Sequence, residues 1–305
     1  MSKSIFLFLI KRSMVWYLCL FFVMWFLIDY KTIEMGDKIK TNFYENPQTF
    51  KEFVLFAGEG RGLNAHQWQD FINYYEQFIK SFPKSADAYM MLGFCYYHLG
   101  QEAKAIAAYQ KASVLAPDVL WPYYNLGVIY FKKGNYPRAI FYLKQAVQKE
   151  PPATLELIHR SKRIYLPIAT AANINLSNLK RQIKEGYRDS YLLIAASLAR
   201  LNQFEDLLRI SKRALISQLG YEALFYFYIG LAQYQLKHFD QAISAFKQCI
   251  ALSRDHDQAF YYRGLSLEAL GQDKGAKESF QEAQLLRAMK GNYPAKEDQI
   301  DLRIY

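Results

Sequence analysis

The side chains able to do chemistry are few and scattered. The five histidines, His66, His98, His159, His238 and His256, stand far apart, without the short paired spacings from which zinc takes imidazole or thiolate ligands. Cys19, Cys95 and Cys249 are odd in number and widely separated, so no disulfide framework follows, and Cys95 and Cys249 fall on small-residue helix faces where packing is the simpler role. Asp255-His256-Asp257 sets an imidazole between two carboxylates, but in a polar stretch that reads as a solvated turn. The segment GEGRG at 58–62 has the glycines of a phosphate loop. It lacks the Gly-Lys-Ser/Thr that would hold phosphate and metal, and no strand pattern precedes it, so a turn between helices is the better reading. No nucleophile–base constellation stands out. The expectation is a protein that is not an enzyme, with no catalytic residue, cofactor or metal.

What remains is binding chemistry. Formal net charge is +10, and residues 156–213 carry eleven Lys or Arg against five Asp or Glu. Arg160, Lys162, Arg163, Lys180, Arg181 and Lys184 form the candidate basic patch, suited to anionic lipid, an acidic partner or an anionic polymer. The bland alternative is a solvated face of irregular helices. Aromatic residues are 17% of the chain, with 25 Tyr and 22 Phe, which is ample both for a core and for an apolar binding surface.

The elements that must position these groups are helices. Residues 86–153 state one 34-residue phrase twice: Tyr89, Leu92, Gly93, Tyr96, Gly100, Ala105, Ala112 and Pro117 return as Tyr123, Leu126, Gly127, Tyr130, Gly134, Ala139, Ala146 and Pro151, and Tyr109 becomes Leu143. Tyr89, Leu92, Gly93 and Tyr96 share one helical face, and Ala105, Tyr109 and Ala112 share another. Gly100 sits where the first helix must end, and Pro117 stops the second. One such hairpin cannot bury its apolar faces alone, whereas stacked neighbours can. These residues resemble tetratricopeptide repeats. The resemblance implies an all-α, right-handed superhelical solenoid of antiparallel helix pairs.

Along the chain the expected organisation is a short N-terminus (1–12), a membrane span (13–30), a linker (31–51), a degenerate first repeat (52–85), two clear repeats (86–153), a degenerate repeat or insertion (154–187), a divergent repeat (188–222) with Asn202 in its turn, two further repeats (223–290) and a polar tail (291–305). The resemblance also implies a concave groove lined by the first helix of each repeat. Carried over residue by residue, its members are Met90, Phe94 and Tyr97; Trp121, Tyr124, Val128 and Phe131; Phe227, Leu231 and Tyr234; and Tyr261, with Leu265 beside it. The rival account of these rings is core packing. Met90 and Phe94 stand where one subclass carries the Lys and Asn of a clamp for acidic chaperone tails, and only Asn125 matches that clamp, so chaperone docking is not implied.

Residues 14–28, MVWYLCLFFVMWFLI, are an unbroken apolar run, and with its flanks it makes 18 residues. At 1.5 Å per residue this spans ~27 Å, close to the ~30 Å hydrocarbon core. Trp16, Tyr17, Trp25 and Tyr30 lie where interfacial rings belong, and Lys3, Lys11 and Arg12 bias the N-terminus to the cytoplasm. No small-x-small cleavage site follows, so an uncleaved signal-anchor is expected, with the repeats across a bacterial inner membrane in the periplasm. The sequence therefore predicts a membrane-anchored scaffold for protein partners, a subunit of a membrane-associated complex among them. An adaptor for an anionic polymer or lipid through 156–213 is the alternative, and nucleic acid is disfavoured by the compartment.

Overall fold

The computed structural model describes residues 65–149 and 176–289. Within them the chain forms α1 (Ala65–Ser81), α2 (Ala86–His98), α3 (Glu102–Leu115), α4 (Leu120–Lys132), α5 (Tyr136–Ala146), α6 (Leu176–Arg200), α7 (Phe204–Ile216), α8 (Glu222–Gln235), α9 (Phe239–Leu252), α10 (Asp257–Ala269) and α11 (Asp273–Met289). There is no strand among the described residues. The span at 13–30, the linker, GEGRG and the tail lie outside them. Among the described residues no helix is long and apolar enough to cross a membrane.

The helices pair as the repeat requires: α2 with α3, α4 with α5, α6 with α7, α8 with α9 and α10 with α11, each pair packing on the next. The reason lies in one small residue. An added Cβ on Gly93 would stand 2.9 Å from the Tyr109 ring, on Gly127 2.4 Å from Leu143, and on Gly230 and Gly264 2.6 Å from Phe246 and Phe280. In each of these four hairpins a bulky residue of the second helix thus lies directly on the backbone of the first. Tyr109, Leu143 and Phe246 are fully buried there, with Ala105, Ala139 and Ala242 also closed off beside them.

The turns repeat too. Gly100 is at φ 72°, and the N–H groups of Gly100 and Gln101 donate to the carbonyls of Tyr97 (2.9 Å) and Tyr96 (2.8 Å), satisfying the last carbonyls of α2. Gly134, Asn202, Lys237 and Gly271 close the other hairpins at φ 70°, 55°, 63° and 67°. Starts are capped locally: Ser85 Oγ accepts from Ala88 N–H (3.3 Å), Asn135 Oδ1 from Arg138 N–H (3.3 Å) and His256 Nδ1 from Ala259 N–H (3.2 Å).

Among the described residues the helix after α5 is α6, which packs on both α4 and α5. It is 25 residues long and starts inside the block 154–187, whose remainder, up to residue 175, lies outside the described residues. An added Cβ on Gly186 would stand 2.6 Å from the Trp121 ring and 2.9 Å from Leu120, so the first helix of the 188–222 repeat crosses the start of α4 closely.

Candidate protein-binding groove

The first helices α2, α4, α8 and α10 carry the eleven groove positions, none of which falls on α6, and hold them at different depths. Met90, Phe94, Trp121, Tyr124, Val128 and Phe227 are buried, none more than 8% exposed. Their contacts say why. Phe94 packs edge-on to Trp68 of α1 (5.7 Å between centroids) and to His98 (4.4 Å), so the first repeat closes over it. Trp121 and Tyr124 meet edge-on at 6.1 Å, with Gly186 of α6 against the Trp121 ring. Phe227 lies among Phe246 (6.1 Å), His256 (4.6 Å) and Tyr262 (6.2 Å) at the joint between the last two repeats. These six side chains are core packing, the rival account that the sequence left open.

The other five remain on the surface. Tyr97, Phe131, Leu231 and Tyr234 are half-buried and Tyr261 is exposed; Leu265 is half-buried. Tyr97 carries a cation: Lys132 Nζ donates to its hydroxyl (2.7 Å) and stands 5.3 Å from the ring centroid. Phe131 packs edge-on to Tyr136 (5.6 Å), which in turn accepts from Arg200 (3.2 Å). Tyr234 leans on Tyr262 (5.6 Å) and Phe239 (5.9 Å), and Tyr261 lies between Phe280 (5.7 Å) and the Arg287 guanidinium (5.2 Å). Arg287 also donates to Asp257 (3.0 Å), which fixes it over the ring. The surface so made offers flat apolar faces with cations at their edges. Such rings give large contact area for little lost rotamer freedom.

Of the basic patch, Lys184 is exposed on α6; Arg160, Lys162 and Arg163 lie outside the described residues, as do the side chains of Lys180 and Arg181. Sequence reasoning missed His98, whose signal was its place one residue after Tyr97. Its ring stacks on Trp68 (4.8 Å, 8° between planes), and its buried Nε2 has no hydrogen-bond partner among the described residues. Burial, with Lys132 close by, lowers its pKa to about 4, so it is neutral at pH 7.

The remaining candidate chemistry is structural. His238 Nδ1 meets Gln233 Oε1 (2.9 Å), His66 meets Asp70 (3.0 Å) on the surface, and His256 caps α10. Burial raises both described thiols, Cys249 to about 12, which keeps them protonated and poorly nucleophilic. Among the described residues no group of His, Cys, Asp and Glu is placed to hold a metal ion.

Models of the tetratricopeptide repeat match residues 84–148, 223–256 and 258–289. No curated protein matches the sequence. Among solved structures, the chain is similar to YrrB, described as a TPR protein with an unusual peptide-binding site, at 19% identity and a TM-score of 0.51, covering 70% of this chain and 92% of that one. It is similar to a double mutant of MamA RS-1 at 14% identity and a TM-score of 0.50, covering 68% and 97%. Likenesses at these identities show the fold.

Proposed function

The chain is a tetratricopeptide-repeat protein, and from that premise we propose that it is a membrane-anchored scaffold whose concave face holds a segment of another protein. The partner is a subunit of a membrane-associated complex whose assembly or stability the scaffold supports. The observation that carries this reading is the row of surface side chains at groove positions: Tyr97, Phe131, Leu231, Tyr234 and Tyr261 keep apolar faces in reach of solvent while their six companions are buried. A surface of this composition suits an amphipathic helix or an extended apolar segment. The apolar run at 14–28 supports the anchor, and the cations before it support a cytoplasmic N-terminus with the repeats in a bacterial periplasm. An anchor would hold a membrane-bound partner at high local concentration.

The test places a photo-crosslinking residue at Leu231, on the groove, or at Ser244, on the outer face of α9, in full-length protein in its own membranes. Crosslinks to a defined partner should form from Leu231 and not from Ser244. Tyr234→Ala with Tyr261→Ala should weaken them by ~2 kcal/mol, roughly 30-fold in affinity, without lowering the melting temperature much. Equal crosslinking from both sites, or full retention by the double variant, would refute the groove. The anchor is checked separately: full-length protein should stay in membranes through alkaline washes, and a phosphatase fused after Tyr305 should be active only if the repeats are periplasmic.

A further inference from the structure

The outer faces of α3 and α5, on the side away from the groove, carry Lys104, Lys111, Arg138 and Lys144 as exposed side chains. Among them stand two exposed apolar residues, Val114 at 74% and Phe141 at 58%. The two helices are neighbours on this face, since Gln110 Nε2 donates to the Tyr142 hydroxyl (3.2 Å). Neither outer face presents an acid: Glu102, in the first turn of α3, is bound to Lys133 (2.7 Å), and Asp118 lies in the turn beyond α3. Two of the cations are held on tyrosine rings one repeat apart, Lys104 over Tyr96 (5.2 Å) and Arg138 over Tyr130 (5.4 Å).

The pattern does not extend back to α1, where Asp70 and Glu76 offset Lys80 and Glu76 accepts from the Tyr96 hydroxyl (2.6 Å). On α7 it continues through Lys212, Arg213 and Ile216, the last 82% exposed, although Glu205 and Asp206 now stand in the first turn and Asp206 pairs with Arg209. On α9 the exposed charges Asp240 and Lys247 balance, and on α11 Asp273, Glu278 and Glu282 offset Lys274, Lys277 and Arg287. Single exposed apolar residues are ordinary on protein surfaces. Their coincidence with two neighbouring helix faces, cationic and without an acid of their own, is not.

We propose that the outer face of α3 and α5 docks on an anionic bilayer surface, with the four cations at headgroup phosphates and Phe141 and Val114 entering the boundary between headgroups and acyl chains. Long basic side chains with an apolar ring between them satisfy both layers of that interface at once. Charge alone would serve nucleic acid or an acidic protein equally well; the exposed phenylalanine and valine are what select a lipid surface. The inference stands apart from the groove reading, because docking by the outer face leaves the concave face open.

The test uses full-length protein carrying Cys19→Ser, reconstituted into neutral phosphatidylcholine vesicles or into vesicles with about one-third phosphatidylglycerol. An environment-sensitive dye is attached at Phe141→Cys or, as control, at Ser244→Cys; Cys95 and Cys249 are buried. The dye at 141 should shift to the blue and become shielded from an aqueous quencher in anionic vesicles only, and high salt should reverse this. Lys111→Glu with Lys144→Glu should cut the shielded fraction roughly tenfold or more at unchanged melting temperature; if that pair melts lower, the glutamine pair replaces it. The dye at 244 should stay in water throughout. A dye at 141 that remains accessible to the quencher in both vesicle types overturns the proposal. So does a shift of equal size in neutral vesicles, or one that short RNA or polyglutamate produces without lipid.

Discussion

Replacing Gly127 by alanine sets two physical effects against each other. In a helix interior this change ordinarily stabilises by ~1 kcal/mol, because glycine has more backbone freedom to lose on folding. Here the new Cβ would stand 2.4 Å from Leu143 Cγ and 2.6 Å from its Cδ2. Carbon atoms in contact rest at ~3.5–4.0 Å, so more than 1 Å of relief is needed. Leu143 is fully buried and cannot swing to solvent. Either its side chain takes a strained rotamer or α4 and α5 move apart, and overpacking of this kind costs ~1–3 kcal/mol. Gly127→Ala should therefore destabilise by ~1 kcal/mol where helix propensity predicts a gain, and Gly127→Leu should cost more. Leu143→Ala alone should cost ~2–5 kcal/mol for the lost burial and the cavity. Combined, the alanine methyl enters space that Leu143 has left, so the double variant should fall short of the sum by at least ~1 kcal/mol, beyond the ~0.5 kcal/mol scatter of independent sites. Urea unfolding followed by far-ultraviolet circular dichroism measures all four proteins. A Gly127→Ala protein as stable as wild type, or an additive double variant, would refute the reasoning.

Two further outcomes follow from single residues. His98 has its pKa lowered from 6.5 to about 4, so between those values the unfolded chain binds the proton and the folded one does not. Stability should thus fall as pH drops from 6.5 towards 4, by at most ~3 kcal/mol and by less to the extent that solvent reaches the ring; a melting series from pH 7 to pH 4 should lose that part of its slope in His98→Phe, and an unchanged slope would locate the acid sensitivity elsewhere. Lys237 holds a left-handed turn at φ 63° where three other hairpins use glycine, so Lys237→Gly should stabilise by ~1 kcal/mol and raise the melting temperature, while an unchanged melt would mean that the turn carries no strain.

The repeat unit was legible because its physical requirements fall on residues with few substitutes. A bulky side chain can lie against a helix backbone only where the facing residue is small, so the glycines recur in register, and the structure sets Gly93, Gly127, Gly230 and Gly264 against Tyr109, Leu143, Phe246 and Phe280. Asn202 was legible as a turn because asparagine tolerates positive φ. Lys237 was not, since lysine in a left-handed turn carries no compositional mark. Length could not decide between repeat and insertion for 154–187: α6 begins at Leu176, inside that block, and packs straight onto α4 and α5.

Depth was the property of the groove that spacing could not supply. Periodicity assigns a side chain to a face, but burial depends on how closely the neighbouring repeat approaches, and that is set by residues far away in sequence: Trp68 on Phe94, Gly186 on Trp121, Tyr262 beside Phe227. The last repeat departs from the rest. At one and the same position of the first helix, Met90, Tyr124 and Phe227 are 5%, 0% and 8% exposed, and Tyr261 is 36% exposed. The inner rings Phe94, Trp121, Tyr124 and Phe227 hold adjacent helices together, and the apolar faces left to a partner are Tyr97 and Phe131 on α2 and α4 and Leu231, Tyr234 and Tyr261 on α8 and α10. The outer surface varies separately, mixed in charge on α1, cationic and apolar on α3 and α5, and balanced in charge on α9 and α11. Two partners with these preferences, a lipid surface and an apolar protein segment, would be held on different helices of one array, the first on second helices and the other on first helices. Each could then be removed by substitution without disturbing the other, which a single shared surface would not allow.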